Sequence, residues 1–106
     1  MVTVHNLNGT GDNSKPKGFT SWKDWWENRK GRRFGKCSKY GCNNNAVHGA
    51  HVQKTSYIFG NEWFIVPLCA GCNQLPSTQQ FEVDDNDLTS VREYARTGLR
   101  SFNLLC

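Results

Sequence analysis

Four cysteines fall in two close pairs, Cys37-x4-Cys42 and Cys69-Ala-Gly-Cys72, with His48 and His51 between them. Thiolates in two short pairs can surround one Zn²⁺ tetrahedrally with no other ligand. Each pair spans about one turn of backbone and so directs two sulfurs at a common point. The 26 residues between the pairs suffice for a small hairpin over the metal. Short paired spacing points to a metal site, the alternatives being two disulfides or buried free thiols. A structural zinc site accounts for a fold and leaves the activity to other residues. The fifth cysteine, Cys106, is the last residue and reads as a free thiol, or else one that docks back on the domain.

A second group with chemical potential precedes the first cysteine. Arg29, Lys30, Arg32, Arg33, Lys36 and Lys39 lie within eleven residues. Such a cluster suits phosphate backbones, because each neutralised phosphate releases condensed counterions. The alternative is a solvated run that keeps the chain soluble. Charge is unevenly spread: residues 1–54 carry +7 and residues 55–106 carry −3 within a net +4. DNA or RNA is therefore the expected partner, with a protein partner as the alternative.

These groups need elements to position them. Residues 1–19 are polar and read as a flexible arm, apart from a brief Val2-Thr3-Val4 alternation. Residues 20–106 read as one zinc-binding domain with its core at 37–75. A helix is expected at 21–30, with Ser21 as its cap, Asp24 in the capping-box position and Gly31 as its stop. Trp22, Trp25 and Trp26 share one face with Arg29, as a packed lid on the zinc module or as an aromatic platform for a base or partner. Gly41 suits the turn of the first cysteine pair. Val47–Val52 and Trp63–Leu68 read as strands joined through Thr55–Asn61, with Gly60-Asn61 as the turn. The second cysteine pair opens a helix that Pro76 limits to about one turn. Phe81-Glu-Val83 reads as a further strand. A last helix is expected near 87–97, capped by Asn86 or Asp85, with Leu88, Val91 and Ala95 on one face and Gly98 ending it.

At 106 residues with 37% hydrophobic side chains and a mean hydropathy of −0.67, the chain has little core to stabilise itself, and a structural metal is a common remedy. No stretch approaches the roughly 18–20 apolar residues of a membrane span, and Met1–Ser14 lacks a signal-peptide core. An intracellular, cytoplasmic setting without membrane association is expected, where thiols stay reduced. No phosphate-cradling glycine loop, serine nucleophile or cofactor fingerprint is present.

The succession of cysteine turn, histidine strand, hairpin and Cys-x2-Cys entering a helix resembles a treble-clef zinc finger. Within that group it most resembles the HNH, or ββα-metal, nucleases of the four-cysteine type. The matching residues are Cys37, Cys42, His51-Val52 and Val66-Pro-Leu-Cys69-Ala-Gly-Cys72-Asn73, and the resemblance covers 37–75, about a third of the chain. The resemblance implies an α+β fold: a small zinc-stabilised treble-clef, HNH-like ββα module flanked by a Trp-rich N-terminal helix and a C-terminal helix. It implies that the four cysteines are structural and His51 a general base activating water. A divalent ion such as Mg²⁺ would then stabilise the phosphate, with Asn73 at the helix position and His48 as a second strand histidine. The local motif departs from the family at Ala50, where an Asp or His is usual, and at Phe64, where an asparagine is usual. His48 and His51 fall on opposite strand faces unless Gly49 forms a bulge. Glu62, Glu82 or Asp84 are the acidic residues that could complete a metal site from a distance. Three readings follow: a zinc-stabilised nucleic-acid-binding module, a metal-dependent endonuclease using His51, and a protein-interaction module anchored by Trp22, Trp25, Trp26 or Trp63. His51 is alternatively a structural residue, or one of the histidines replaces a cysteine as zinc ligand.

Overall fold

The computed structural model describes residues 1–7, 16–55 and 62–92. Its centre is the hairpin of β2 (His48–Lys54) and β3 (Phe64–Leu68), paired antiparallel from His48 opposite Leu68 to Val52 opposite Phe64. All five residues of β3 are buried, as an uninterrupted apolar run requires. Pro67 fits inside β3 because its carbonyl faces outward, accepting from the Ser38 N–H at 2.9 Å. The N–H that proline lacks would point to that same outer edge, away from β2.

The sheet is completed by β1 (Val2–Asn6), β4 (Gln80–Val83) and β5 (Thr89–Ser90), in the spatial order β4-β1-β2-β3-β5 with every described pair antiparallel. Residues 2–6 therefore depart from the flexible arm expected over 1–19, of which 8–15 lie outside the described residues. β1 lies between β4 and β2, with Val4 fully buried and Asn6 2% exposed. Its apolar alternation is only two valines long, and its pairing partners lie about fifty and eighty residues away. No local signal announces such a strand.

The two sheet faces have different covers. On one, Val4, Ala50, Val52, Phe64, Val66, Leu68, Phe81 and Val83 pack with Cys37 and Cys69. On the other, Ile65 packs with Trp25 and Trp26, flanked by Phe19, Trp22, Phe34 and Val91. The tryptophans are thus core, one of the two roles their spacing allows, but they cover the face turned away from the cysteines rather than forming a lid over them.

They are carried by α1 (Trp22–Lys30), whose ends are set locally. The Ser21 hydroxyl accepts from the Asp24 N–H at 3.0 Å, and the Asp24 carboxylate accepts from the Thr20 N–H at 3.4 Å. Gly31 stops the helix at φ 71°, its N–H bonding the Glu27 carbonyl. Nine residues are too few for a helix to persist alone, so packing must hold it. Burying a tryptophan removes about 150–250 Å² from water, an upper estimate of roughly 4–6 kcal/mol. The seat also needs Gly49 on β2: a Cβ there would lie 2.8 Å from the Lys23 nitrogen and from the Trp22 carbonyl carbon. Gly49 serves close approach, and the β2–β3 register runs past it without a bulge.

After β4 the chain departs from the helix expected near 87–97. Asp84 caps a 3-10 turn at Asp85–Asp87, with its carboxylate accepting from the Asn86 N–H at 2.9 Å. Leu88 enters the cysteine-side core, and Thr89 and Ser90 pair with Ile65 and Phe64. Helical backbone begins only at Val91. Pairing with the exposed edge of β3 has overridden the helical pattern. The remainder of that expected helix, the Gly60-Asn61 turn and Cys106 lie outside the described residues. Among the described residues, no helix is long and apolar enough to cross a membrane.

Gly49→Ala should destabilise the protein by about 1–3 kcal/mol, because backbone rather than a flexible side chain must yield. Denaturant unfolding monitored by tryptophan fluorescence measures this. An unchanged midpoint would mean that α1 does not sit tightly on β2.

Candidate metal centre

The first cysteine pair sits in a tight loop held on three sides. The Cys37 N–H bonds the Asn44 carbonyl at 2.7 Å, the Cys42 N–H bonds the Lys39 carbonyl at 3.0 Å, and Gly41 takes φ 84° between them. The Ser38 N–H reaches Pro67 of β3, and the Tyr40 N–H reaches Glu82 of β4 at 2.8 Å. The second pair begins where β3 ends. Cys69 is the N-cap of α2 (Ala70–Asn73), and Cys72 lies in its single turn, the short helix expected before Pro76.

These two supports bring four sulfurs together. Every pair of Sγ atoms lies within 4.8 Å, and the Cys42 sulfur is 3.9 Å from those of both Cys69 and Cys72. A tetrahedral zinc with bonds of about 2.3 Å separates its sulfurs by about 3.8 Å. A disulfide needs about 2.05 Å, and all four cysteines are free thiols. The group can hold a metal ion such as zinc.

The surroundings favour thiolate at one sulfur and oppose it at two others. The Cys72 N–H, 3.4 Å from the Cys69 sulfur, is the main cause that brings the Cys69 thiol down to about 6. The Asn44 amide, 3.8 Å away, adds to it. Burial pushes the Cys37 and Cys72 thiols up. Four thiolates this close repel one another, so a cation is what allows them to ionise together.

Sequence reasoning missed Asn6. From β1 its amide donates to the carbonyls of Cys72 at 2.9 Å, Leu75 at 3.0 Å and Asn73 at 3.4 Å. The Cys72 carbonyl also accepts from the Leu75 N–H at 3.2 Å, so Asn6 adds to the bonds that close the end of α2. One buried amide thus fastens the N-terminal strand to the second cysteine pair. Nothing near Asn6 in sequence signals this, since the contact spans 66 residues or more.

The residues named for catalysis are not gathered at one point. His51 faces the α1 side, its ring 5.2 Å from Trp22 and 5.7 Å from Trp63, edge to face. His48, three residues away in a regular strand, faces the cysteine side and is exposed. Asn73 ends α2, also on the cysteine side, where its carbonyl receives Asn6. Burial lowers the His51 pKa, so the folded protein holds its ring neutral. The acidic candidates are distributed as well. Glu62 accepts the Ser90 hydroxyl, Asp84 caps the 3-10 turn, and Glu82 is exposed on β4. Among the described residues, the four cysteines are the one group of three or more His, Cys, Asp or Glu side chains placed to hold a metal. Neither histidine belongs to it.

The basic cluster divides by task. Arg32 pairs with Asp87 at 2.6 Å and lies 4.7 Å from the Trp26 ring centre. Lys30 donates to the Leu88 carbonyl at 3.1 Å, and Lys36 to the Asn45 side chain at 3.3 Å. Lys39 is bridged through its backbone to Val83. Arg29 and Arg33 are exposed. Asp87 was likewise not foreseen: its carboxylate also accepts from the Ser38 hydroxyl at 2.8 Å, and its carbonyl from the Trp26 indole at 2.8 Å.

A strong chelator that removes a metal ion from this site should unfold the cysteine-side core. A structural zinc supplies on the order of 10 kcal/mol, comparable with the whole stability of a small domain. Circular dichroism before and after chelation, with metal added back, tests this; an unchanged melt would remove the metal from the fold. A second expectation concerns His51. Its folded pKa lies below 6.5, so the unfolded chain binds more protons as pH falls through that value. His51 therefore reduces stability progressively from about pH 6.5 down to its folded pKa and is neutral in effect above. Unfolding free energies of wild type and His51→Gln should differ in slope over that window; parallel curves would contradict a desolvated ring.

No protein-family model, curated protein or solved structure matches this chain, so the reading of the site rests on its own distances.

Proposed function

We propose that this chain is a zinc-stabilised, treble-clef-like module that binds nucleic acid through its basic segment. Zinc is the ion best suited to four thiolates in a closed tetrahedral set. The order of cysteine loop, β2–β3 hairpin and α2 with Cys69 at its cap supports the treble-clef reading.

One observation carries the nucleic-acid reading. Between Glu27 and Glu62 the chain has seven Lys and Arg and no acidic residue. This stretch contains the whole first cysteine loop, at whose tip Tyr40 is 65% exposed. Tyr40 is preorganised by its backbone bond to Glu82, so stacking a base on it costs little ordering. Arg29 and Arg33 add exposed charge. The endonuclease reading needs His51, His48 and Asn73 to converge, and the division between sheet faces counts against it. The protein-interaction reading loses two of its aromatic anchors, because Trp25 and Trp26 are fully buried.

Fluorescence anisotropy with labelled single- and double-stranded oligonucleotides over a salt series tests the proposal. Removing one phosphate-binding cation, as in Arg33→Ala, should flatten the salt slope by about 0.7–0.9. Tyr40→Ala should weaken single-strand binding by about 1–3 kcal/mol, and Tyr40→Phe should restore it. Absence of salt-dependent binding to any oligonucleotide at low ionic strength overturns it.

A further inference from the structure

The four sulfurs of the cysteine set are not equivalent. Cys37 and Cys69 belong to the buried core, each 5% exposed, whereas Cys42 and Cys72 pack against that core and stay partly exposed. Hydrogen bonding divides them the same way. The Cys69 sulfur accepts from the Cys72 N–H at 3.4 Å and from the Asn44 amide at 3.8 Å. The Cys37 sulfur is stabilised by the backbone N–H groups of Cys69 and Lys39. Among the described residues, the sulfurs of Cys42 and Cys72 have other sulfurs as their hydrogen-bonding neighbours and no N–H donor.

That division bears on reactivity. The thiolate rather than the thiol is the nucleophile, and a cation shared by the four sulfurs keeps all of them ionised. Ionisation then no longer separates one sulfur from another; electron density and access do. An N–H donor stabilises the thiolate it binds, and a thiolate so stabilised attacks more slowly. Cys42 and Cys72 lack that restraint, are the two partly exposed members of the set, and hold their sulfurs 3.9 Å apart. Cys42 is equally close to Cys69, so distance alone does not choose its partner. Exposure and the missing N–H donors choose Cys72. The pair also joins the two supports of the site, since Cys42 ends the loop fastened to β3 and β4 while Cys72 lies in α2.

We propose that Cys42 and Cys72 form an oxidation site for hydroperoxides, at which a disulfide between them replaces the bound metal. The Cys42 thiolate attacks one oxygen of hydrogen peroxide, the O–O bond breaks, and the departing hydroxide takes a proton and leaves as water. The Cys72 sulfur then attacks the Cys42 sulfenic acid, forming the S–S bond and expelling the hydroxyl group, which also leaves as water. Two electrons pass from the sulfurs to the peroxide, and two protons are taken up. Cys37 and Cys69 are left with half of a tetrahedral ligand set, which releases the ion. The inference rests on the metal reading of the four cysteines and is independent of the nucleic-acid reading.

The test treats the zinc-loaded full chain with hydrogen peroxide and follows released zinc with a coloured indicator. Remaining thiols are then alkylated and the linked peptides mapped by mass spectrometry, in wild type and in Cys106→Ser, which excludes exchange with the fifth thiol. Zinc release should keep pace with a Cys42–Cys72 link, one ion per disulfide, with Cys37 and Cys69 recovered alkylated. A dithiol reductant and added zinc should restore the starting mass. Asn44→Ala removes one donor from the Cys69 sulfur and keeps the backbone carbonyl that receives the Cys37 N–H. It should divert part of the product to a Cys42–Cys69 link. A dominant link within either sequence pair, zinc retained while the cysteines oxidise, or a product ratio unchanged by Asn44→Ala overturns the proposal. Native mass spectrometry before peroxide separates the two readings. A chain that takes up no zinc overturns the metal centre and this inference with it, whereas a zinc-loaded chain that gives another link overturns this inference alone.

Discussion

Four sulfurs held within 4.8 Å of one another are the constraint on which the rest of this structure depends. They are too far apart for disulfides and too close to ionise together in isolation, so a shared cation is the arrangement that removes the conflict. The elements that hold them come from distant parts of the chain. The loop at 37–42 is fastened to β3 through Ser38 and to β4 through Tyr40, while Cys69 and Cys72 follow β3 directly. Asn6 then ties β1 to the carbonyls around α2. A change at the centre is therefore felt by β1 and β4 as well as by β3, although α2 itself has only four residues.

The opposite face is organised without the cysteines. There α1 is seated by fully buried Trp25 and Trp26 against Ile65, and Gly49 gives it the room to approach. Asp87 joins this layer to the cysteine loop, since one residue receives Trp26, Arg32 and Ser38. The two layers thus pack around different residues, with Asp87 and the Lys30–Leu88 bond as polar connections between them. His51 belongs to the aromatic layer, edge-on to Trp22 and Trp63. Its burial explains both its neutral ring and its distance from the role that a strand histidine suggested.

What could be read in the sequence was what is encoded locally. The cysteine pairs, the Ser21 and Gly31 helix boundaries, the β2–β3 hairpin and the single turn after Cys69 each depend on residues a few positions apart. What could not be read depends on distant partners. β1 has two inward valines and gains its place from β2 and β4, and Thr89-Ser90 becomes a strand because β3 offers an open edge. The strand period did forecast that His48 and His51 would face apart. It could not forecast which face the tryptophans would cover, because helical spacing defines a stripe without naming its partner.

The same limit governs the basic segment. Six cations in eleven residues look uniform in sequence, yet the fold assigns them different work. Arg32 is neutralised by Asp87 and stacked on Trp26, and Lys30 satisfies a carbonyl of the chain before β5. Lys36 braces the cysteine loop through Asn45, beside the asparagine that donates to the Cys69 sulfur. Four zinc-bound thiolates would carry a net charge of about −2, so cations flanking that loop also offset the centre itself. Part of the positive charge is thus needed for folding, and a count of Lys and Arg overstates what is left for a partner. Arg29 and Arg33, both exposed, stand at either end of the turn that leads from α1 into the cysteine loop. In the proposed reading, recognition of a polyanion is set by that turn's geometry, which the aromatic layer holds on one side and the cysteine loop on the other.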